Sequence, residues 1–341
     1  MSNQPPIEVP QGAIRLNTDS QRLEFFAQDR WYEMATENAS IGNIGFRVSG
    51  TGAGATLIES FNITTLGNSH DTGFDLSTSR GAFGCSASRT RAIICGGNAP
   101  GITGSNNIQY FEMTSLSNTI DFGDLTYDAA EAGAHSNNVR LVVTGAASHA
   151  SNVINFLTVA STGSAQDFGD QANKLSSTTA CGSPTRGLFA GGAIPSIVNI
   201  IEFVTIASTG NSVDFGDLTV ARYSAGSGSN NTRGLFIMGN AGSPTNQVNT
   251  IDFVTISSTG NAQDFGDSNM NDTGGPTQGA GVAASPNRIV FFGGYITGGT
   301  DRTTEMEYVN PTTRGNSTRF GDLETAQNSD GNALSSSHGG L

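Results

Sequence analysis

IEFVTIASTGNSVDFGDLTVARYSAGSGSNNTRGLFIMGN, residues 201–240, is a unit that this chain repeats. Related stretches begin at Ile154, Ile251, Ile108 and Phe61, and a degraded one begins at Met306. The aspartates that close its DFGD core stand at Asp124, Asp170, Asp217, Asp267 and Asp322, with a decayed version at Asp75. The intervals from Asp75 onward are therefore 49, 46, 47, 50 and 55 residues. From each of Asp75, Asp124, Asp170 and Asp217 it is 16 residues to an arginine that opens an apolar run: Arg91, Arg140, Arg186 and Arg233. The fifth such interval, Asp267 to Arg288, is 21. A near-constant period of this size marks one folded unit copied several times, and it decides the fold before any single residue does.

Each unit reads as four short strands. A small-residue strand such as TTACGS (178–183) leads through a tight SPTR or NNTR turn into an apolar strand ending in Gly-Gly, as at Gly96–Gly97, Gly191–Gly192 and Gly293–Gly294. A third strand of the form I-x-F-x-T-I then turns at STGN into a fourth that ends in DFGD. Four strands in 40–50 residues is the blade arithmetic of a β-propeller. The small first strand fits the innermost position, where strands crowd around an axis. The run GNALSSSHGGL near residue 341 matches a first strand, whereas NIGFRVSG at 43–50 matches a second strand with no first strand before it. These two runs are expected to share a blade, which closes the ring and removes free sheet edges. The expectation is an all-β, six-bladed propeller over 43–341, a linker at 37–42, and a separate small β module at 1–36.

Composition agrees with many short strands and tight turns: 45 of 341 residues are Gly and only 13% are charged. A net charge of −13 argues against a nucleic-acid partner, which needs a basic stripe. No apolar run approaches the roughly 20 residues that span a bilayer, so no membrane partner is expected. MSNQPPIEVPQG lacks the blocks of a signal peptide. Cys85 and Cys181 fall 10 and 11 residues after their aspartates, where other units place Ala134 or Gly228. The slot asks for a small residue, and Cys serves there as a small hydrophobe. With no CxxC and four scattered histidines, no metal or other cofactor is expected.

Residues 1–36 lie outside the repeat. After a proline-rich start, Ala13–Leu16, Arg22–Phe26 and Trp31–Met34 read as strands separated by turn-like NTDS and AQDR. The segment holds the only tryptophan, Trp31, together with Phe25, Phe26 and Tyr32. A fragment this small buries too little surface to be stable alone, so it either covers part of the ring or oligomerises.

Repetition also acts as an internal control on function. Asp121, Asp167, Asp214 and Asp264 recur like the closing aspartates, and several equivalent catalytic sites in one ring are implausible. They read as turn caps that accept backbone N–H bonds, with weak Ca²⁺ binding as the alternative. The recurring Arg91, Arg140, Arg186, Arg233 and Arg288 read as structural, paired with those aspartates. Function is expected where the units differ, in loops 98–107, 240–249, 268–281 and 295–304 on one face, with Asn98, Asn271, Tyr295 and Asp301 as candidate ligand-binding residues. The opposite face, with its turns of fixed length, is expected to be plain. Glu131 and His135 are the one unrepeated titratable pair of interest; they read as a solvated loop, with catalysis as the rival reading. No GxSxG, P-loop or Cys/His constellation occurs, and the chain is not expected to be an enzyme.

The units resemble degenerate kelch-type repeats, with Gly-Gly ending the second strand and the usual tryptophan absent. The run DFGDLTVAR…SNNTRGLFIMGN also resembles repeats of virion-associated proteins of tailed bacteriophages, particularly those of marine bacteria and cyanobacteria. The stretch GAIRLNTDSQRLEFFAQDRWYEM is similar to a short module of phage tail-fibre and neck proteins, through Gly12, Ile14, Arg15, Asn17, Thr18, Asp19 and Trp31. Together these resemblances cover nearly the whole chain. They imply a non-enzymatic virion protein (a fibre, knob or decoration) whose amino-terminal module docks on other tail, neck or capsid proteins through Ile14, Arg15, Phe25, Phe26, Trp31 and Tyr32. They imply a homo-oligomer within the particle and an outward propeller. The rival implied functions are an adhesin for a host surface glycan and a polysaccharide hydrolase, and the latter needs paired carboxylates in a cleft.

Overall fold

The computed structural model describes residues 10–17, 22–27, 30–33, 43–48, 56–99, 101–145, 151–193, 195–242, 247–270, 277–295, 303–325 and 333–341. The chain divides into two compact units, Met1–Ser40 and Ile41–Leu341. The first is a three-stranded antiparallel sheet of β1 (Ile14–Asn17), β2 (Arg22–Ala27) and β3 (Arg30–Glu33), in that spatial order. Each strand lies within a residue of its expected place.

The second unit is a six-bladed β-propeller, and among the described residues it contains no α-helix. Blade one holds β4 (Ile44–Val48), β5 (Leu57–Asn62) and β6 (His70–Asp75). Blade two follows with β7 (Gly84–Ala87), β8 (Arg91–Cys95), β9 (Ser105–Glu112) and β10 (Ile120–Ala129). Blade three is β11 (Gly133–Ser136), β12 (Arg140–Thr144), β13 (Val153–Thr158) and β14 (Gln166–Asp170). Blade four is β15 (Thr179–Gly182), β16 (Arg186–Ala190), β17 (Ile200–Thr205) and β18 (Val213–Asp217). Blade five is β19 (Gly226–Ser229), β20 (Arg233–Ile237), β21 (Thr250–Thr255) and β22 (Gln263–Asp267). Blade six is β23 (Gly281–Ala284), β24 (Ile289–Phe292), β25 (Glu305–Val309) and β26 (Thr318–Asp322). Finally β27 (Ala333–Ser335) pairs antiparallel with β4 and becomes the first strand of blade one, so the ring closes as its two end runs require.

In the third strand of blade one, the register moves one expectation. Glu59 pairs with Asp71 as Glu202 pairs with Asp214, so the copy of the unit begins at Ile58 and not Phe61. One extra residue between Asp71 and Asp75 hid that alignment.

Three joints repeat between neighbouring blades. In the first, the glycine of each DFGD lies against the third turn of the next blade. A Cβ on Gly169 would sit 2.5 Å from the carbonyl carbon of Gly210, and Gly210 N donates to Phe168 O at 2.7 Å. The Asn that ends STGN completes this joint: Asn211 Oδ1 accepts Asp170 N at 3.0 Å, and Asn261, Asn316, Asn68 and Asn118 do likewise for Asp217, Asp267, Asp322 and Asp75.

The second joint corrects the expected pairing of the arginines with the DFGD aspartates. Arg91, Arg140, Arg186, Arg233 and Arg288 instead lie over the third-strand ring of their own blade, at 4.4–4.9 Å from the ring centroids of Tyr110, Phe156, Phe203, Phe253 and Tyr308. Their outer nitrogens donate to a carbonyl just past the third strand of the following blade, as Arg186 Nη1 does to Ile256 O at 2.9 Å. A guanidinium can hold a ring face and a carbonyl at once, and a carboxylate at the sheet edge competes with water for it. Of the five, Arg91 also meets a carboxylate, that of Glu112.

The third joint is a buried polar residue at the second position of I-x-F. Glu59, Gln109, Asn155, Glu202, Asp252 and Glu307 are all buried, and each holds the segment that enters from the preceding blade. Thr325 donates to Glu59 at 2.6 Å, Asn173 to Glu202 at 3.1 Å, and Thr219 to Asp252 at 2.6 Å. Arg47 and Arg222 add ion pairs to Glu59 and Asp252, with both partners almost wholly buried. Burial pushes the Glu307 carboxyl up, against hydrogen bonds from Ser317 and Ser268 that favour its ionised form.

The closure joint between blades one and two differs. Ile44 and Ser60 replace the arginine and the aromatic ring, and Phe46 and Phe74 pack on Phe111 at centroid distances of 5.4 and 5.2 Å. The aspartates at the blade edges act in part as expected: Asp71 Oδ1 accepts Gly73 N and Asp167 Oδ1 accepts Gly169 N.

Two stability measurements test these joints. Gly169→Ala and Gly163→Ala share a positive φ (146° and 152°), but a Cβ at Gly163 meets nothing within 4 Å. Chemical denaturation is expected to show Gly169→Ala less stable than Gly163→Ala by about 2 kcal/mol or more. Arg186→Ala, which removes a cation–π contact and a carbonyl bond together, is expected to cost about 2 kcal/mol in the same assay. An effect within error of zero removes the clasp from the account of ring stability.

Candidate functional site in the axial pocket

The six innermost strands touch one another around the axis in the order β7, β11, β15, β19, β23 and β27. Their residues are Gly, Ala, Ser, Thr, Cys, His, Val and Leu, mostly small, and they enclose an axial pocket of about 120 Å³. Hydroxyls line much of its wall. Thr179 and Ser227 bond each other, Ser227 donates to Ala180 O at 2.9 Å, and Ser86 donates to Ser136 at 2.7 Å, whose hydroxyl donates in turn to Ala87 O at 2.6 Å. Cys85 and Cys181 face the same space, and burial pushes the Cys181 thiol up to about 12, so it stays protonated. These thiols stand at two successive positions of the inner strand and not in one slot: Cys85 is level with Ala134, and Cys181 with Gly228.

One rim of the pocket is built from residues just ahead of the inner strands. Ala82, Glu131, Ser177 and Ser224 all have φ between 49° and 55°, and Gly279 follows at 72°. Left-handed backbone costs a non-glycine residue roughly 1 kcal/mol, and here four such residues occupy the same place in successive blades. Their backbones link around the axis: Glu131 N donates to Ala82 O at 2.5 Å, Ser224 N to Ser177 O at 2.9 Å, and Gly279 N to Ser224 O at 2.7 Å. Ser177 donates its hydroxyl to the Glu131 carboxylate, which among the described pocket-lining residues is the one acidic side chain.

This arrangement corrects the reading of Glu131 and His135 as a solvated loop. Glu131 stands on the rim and His135 is buried in β11, with 3% of its surface exposed. His135 faces His338, with ring centroids 5.6 Å apart, and bonds Ser183 O at 3.2 Å. Burial and the second imidazole lower His135 to about 3, and burial lowers His338 to about 4.

Of the residues expected to form a variable-face site, Asn98 and Tyr295 are described, and they stand in different blades. Asn98 bridges Gly81 in blade two and accepts Gly104 N at 2.8 Å, so it organises its own loop. Tyr295 bridges Gln278 in blade six, and its carbonyl accepts Gln247 Nε2 at 2.8 Å. Neither lines the axial pocket, and Asn271 and Asp301 lie outside the described residues. The opposite face is not plain. Its turns carry exposed Leu66, Leu116 and Val139 on blades one to three.

In the amino-terminal unit the backbone register aligns Ile14, Phe25 and Tyr32 in one row across the sheet, and Phe26 opposite Trp31. Arg15 lies 4.0 Å over the Trp31 ring and pairs with Glu24, Phe26 meets Trp31 edge-on at 5.3 Å, and Ile14 is exposed. The six residues singled out for docking thus belong to one small sheet.

No family model and no curated protein matches the sequence. The fold and site define a β-propeller with an axial pocket closed into a single ring by its own end strands.

Substituting a rim residue tests whether its strain is real. Ser224→Gly is expected to raise stability by about 0.5–1 kcal/mol in a denaturant titration, because glycine adopts φ 49° freely. A loss of stability of that size shows instead that the Ser224 side chain contributes more than its backbone costs.

Proposed function

We propose that this chain is a non-enzymatic structural component of a tailed-phage virion. The amino-terminal sheet docks onto tail, neck or capsid proteins, and the propeller projects from the particle. One observation carries the reading: the repeated charged and polar groups of the ring bond its own joints. The five arginines, the I-x-F carboxylates and amides, and the STGN asparagines all bind backbone or side chains across blade boundaries. A ring that commits its repeated chemistry to its own cohesion suits a durable spacer or knob. The likeness of Gly12–Trp31 to tail-fibre and neck modules supports the virion assignment, and the aligned Ile14, Phe25 and Tyr32 suit a docking face or a self-associating one.

A second reading, a receptor-binding adhesin for a host surface glycan, is favoured by the hydroxyl-lined axial pocket and its left-handed rim. A polysaccharide hydrolase receives less support, because among the described residues the pocket lining presents one carboxylate, Glu131, where glycoside hydrolysis uses two.

The test is particle incorporation. Tagged full-length chain and residues 37–341 are supplied in trans during infection by a phage that encodes this protein, and purified particles are probed for each. The expected result is incorporation of the full chain alone, with the shorter form a compact monomer by light scattering. Absence of both from particles overturns the virion reading. Equal incorporation keeps the virion and overturns the role given to the amino-terminal sheet.

A further inference from the structure

Beyond the rim, the axial pocket has a second end. The inner strands run away from the rim to Ala87, Ser136, Gly182, Ser229 and Ala284, and there residues 336–341 cross the axis. Their contacts reach almost all the way round. His338 Nε2 donates to Ala87 O of blade two at 2.7 Å, Gly339 N donates to Ser229 O of blade five at 2.8 Å, and Ser337 Oγ donates to Ala284 O of blade six at 3.2 Å. A Cβ on Gly339 would lie 2.5 Å from Gly182 O of blade four, and one on Gly340 would collide with Ser136 O of blade three. These glycines are required for the fit. The pocket lining includes both His135 and His338, so the crossing segment is its floor.

We propose that residues 336–341 form an acid-releasable plug, which closes the axial pocket at neutral pH and opens it into a through-channel when the two imidazoles are protonated.

The hydrogen bonds of His338 fix its state. Nε2 donates to Ala87 O, and Nδ1 accepts Gly340 N at 3.1 Å, so the plugged form needs the neutral imidazole with its proton on Nε2. A second proton on Nδ1 would turn that acceptor into a donor facing an N–H, and the bond that holds Gly340 in place is lost. His135 stands behind, its ring edge against Gly340 and its partner imidazole, so charging either ring opposes charging the other. The groups packed on the pair from the surrounding elements are Ala87, Ser136, Gly182, Ser183 and Gly187. None of these is titratable or charged, and Glu131 lies at the far end of β11, on the rim. The segment also carries a weakness: the Ser336 hydroxyl is buried without a hydrogen-bond partner.

The direction with pH follows from linkage. Both imidazoles are harder to protonate in the plugged ring, at about 3 and about 4 against 6.5 in water. Their contribution to holding the plug is therefore complete above about pH 6.5 and declines as pH falls towards 4. If release exposes both rings, the equilibrium moves towards the open form by on the order of 10³-fold between pH 7 and pH 4.5.

Amide NMR of the intact chain from pH 7.5 to pH 4 tests this, with far-UV circular dichroism in parallel. The Gly339 and Gly340 amides are expected to move to unstructured positions below about pH 6 while the β-sheet signal holds. His338→Gln keeps a side-chain donor and an acceptor but does not titrate, and it is expected to lower the release midpoint by about one pH unit. His135→Gln gives the same test from the ring side. Amides that stay in place to pH 4, release that coincides with loss of the sheet signal, or glutamine variants that release at the wild-type pH each overturn the proposal.

Discussion

Everything in this ring depends on how closely six sheets approach one axis. Neighbouring inner strands touch, and a Cβ on Gly228 would already lie 2.8 Å from a Val282 methyl of the next blade. The first strand of every blade is therefore built mostly of small residues, and most of the bulky apolar side chains move outward to the second and third strands. There they interleave with those of neighbouring blades. The second contact point is equally tight and lies near the perimeter, where the DFGD glycine meets the next blade's turn. Two close approaches, one at the axis and one near the rim of the disc, fix the angle between blades, and the arginine clasps tie the span between them.

Much of this was legible because the chain presents the same problem several times. A residue type that recurs at one place among changing neighbours is answering a geometric demand. The small first strand, the Gly-Gly exit, DFGD and the shared closing blade were all readable on that basis, and the structure reproduces them. The arginines were found by the same logic but given the wrong partner. An oppositely charged residue at constant spacing is the obvious choice in sequence, whereas the true partners are a ring on the same blade and a carbonyl about 70 residues later, whose own identity is irrelevant.

The buried position in I-x-F shows what repetition conceals. It holds Glu, Gln, Asn, Glu, Asp and Glu in turn, between two apolar positions in every blade but the first, where Ser60 follows, and this reads as the solvent side of an amphipathic strand. In a propeller both faces of a middle strand are covered by neighbouring blades, so the pattern loses its usual meaning. What persists is a polar side chain of varying length that bonds a Thr, Asn or Ser from the preceding blade, accepting at the four carboxylates and donating from the amide nitrogens of Gln109 and Asn155. The rim was harder still. Ala82, Glu131, Ser177 and Ser224 share a left-handed backbone with no common side chain, and none is of the type that favours it, so only coordinates reveal the set.

A symmetric scaffold also tells where to look for what is not symmetric. The structural demands fall on all blades alike and leave repeated residues behind. His135 and His338 break that rule: among the described residues no other inner strand carries an imidazole or a charged side chain, His338 follows the last of those strands, and the ring places the two together on the axis. Two buried imidazoles facing each other are a poor way to stabilise a joint that uncharged residues fill elsewhere: the equivalents of His135 in the other five blades are Ser86, Cys181, Gly228, Ala283 and Leu334. The axis is the one place where a departure in a single blade touches all the others, because every inner strand faces the same cavity. A side chain whose charge can change is worth most at that position, and that is where this chain has put its pair.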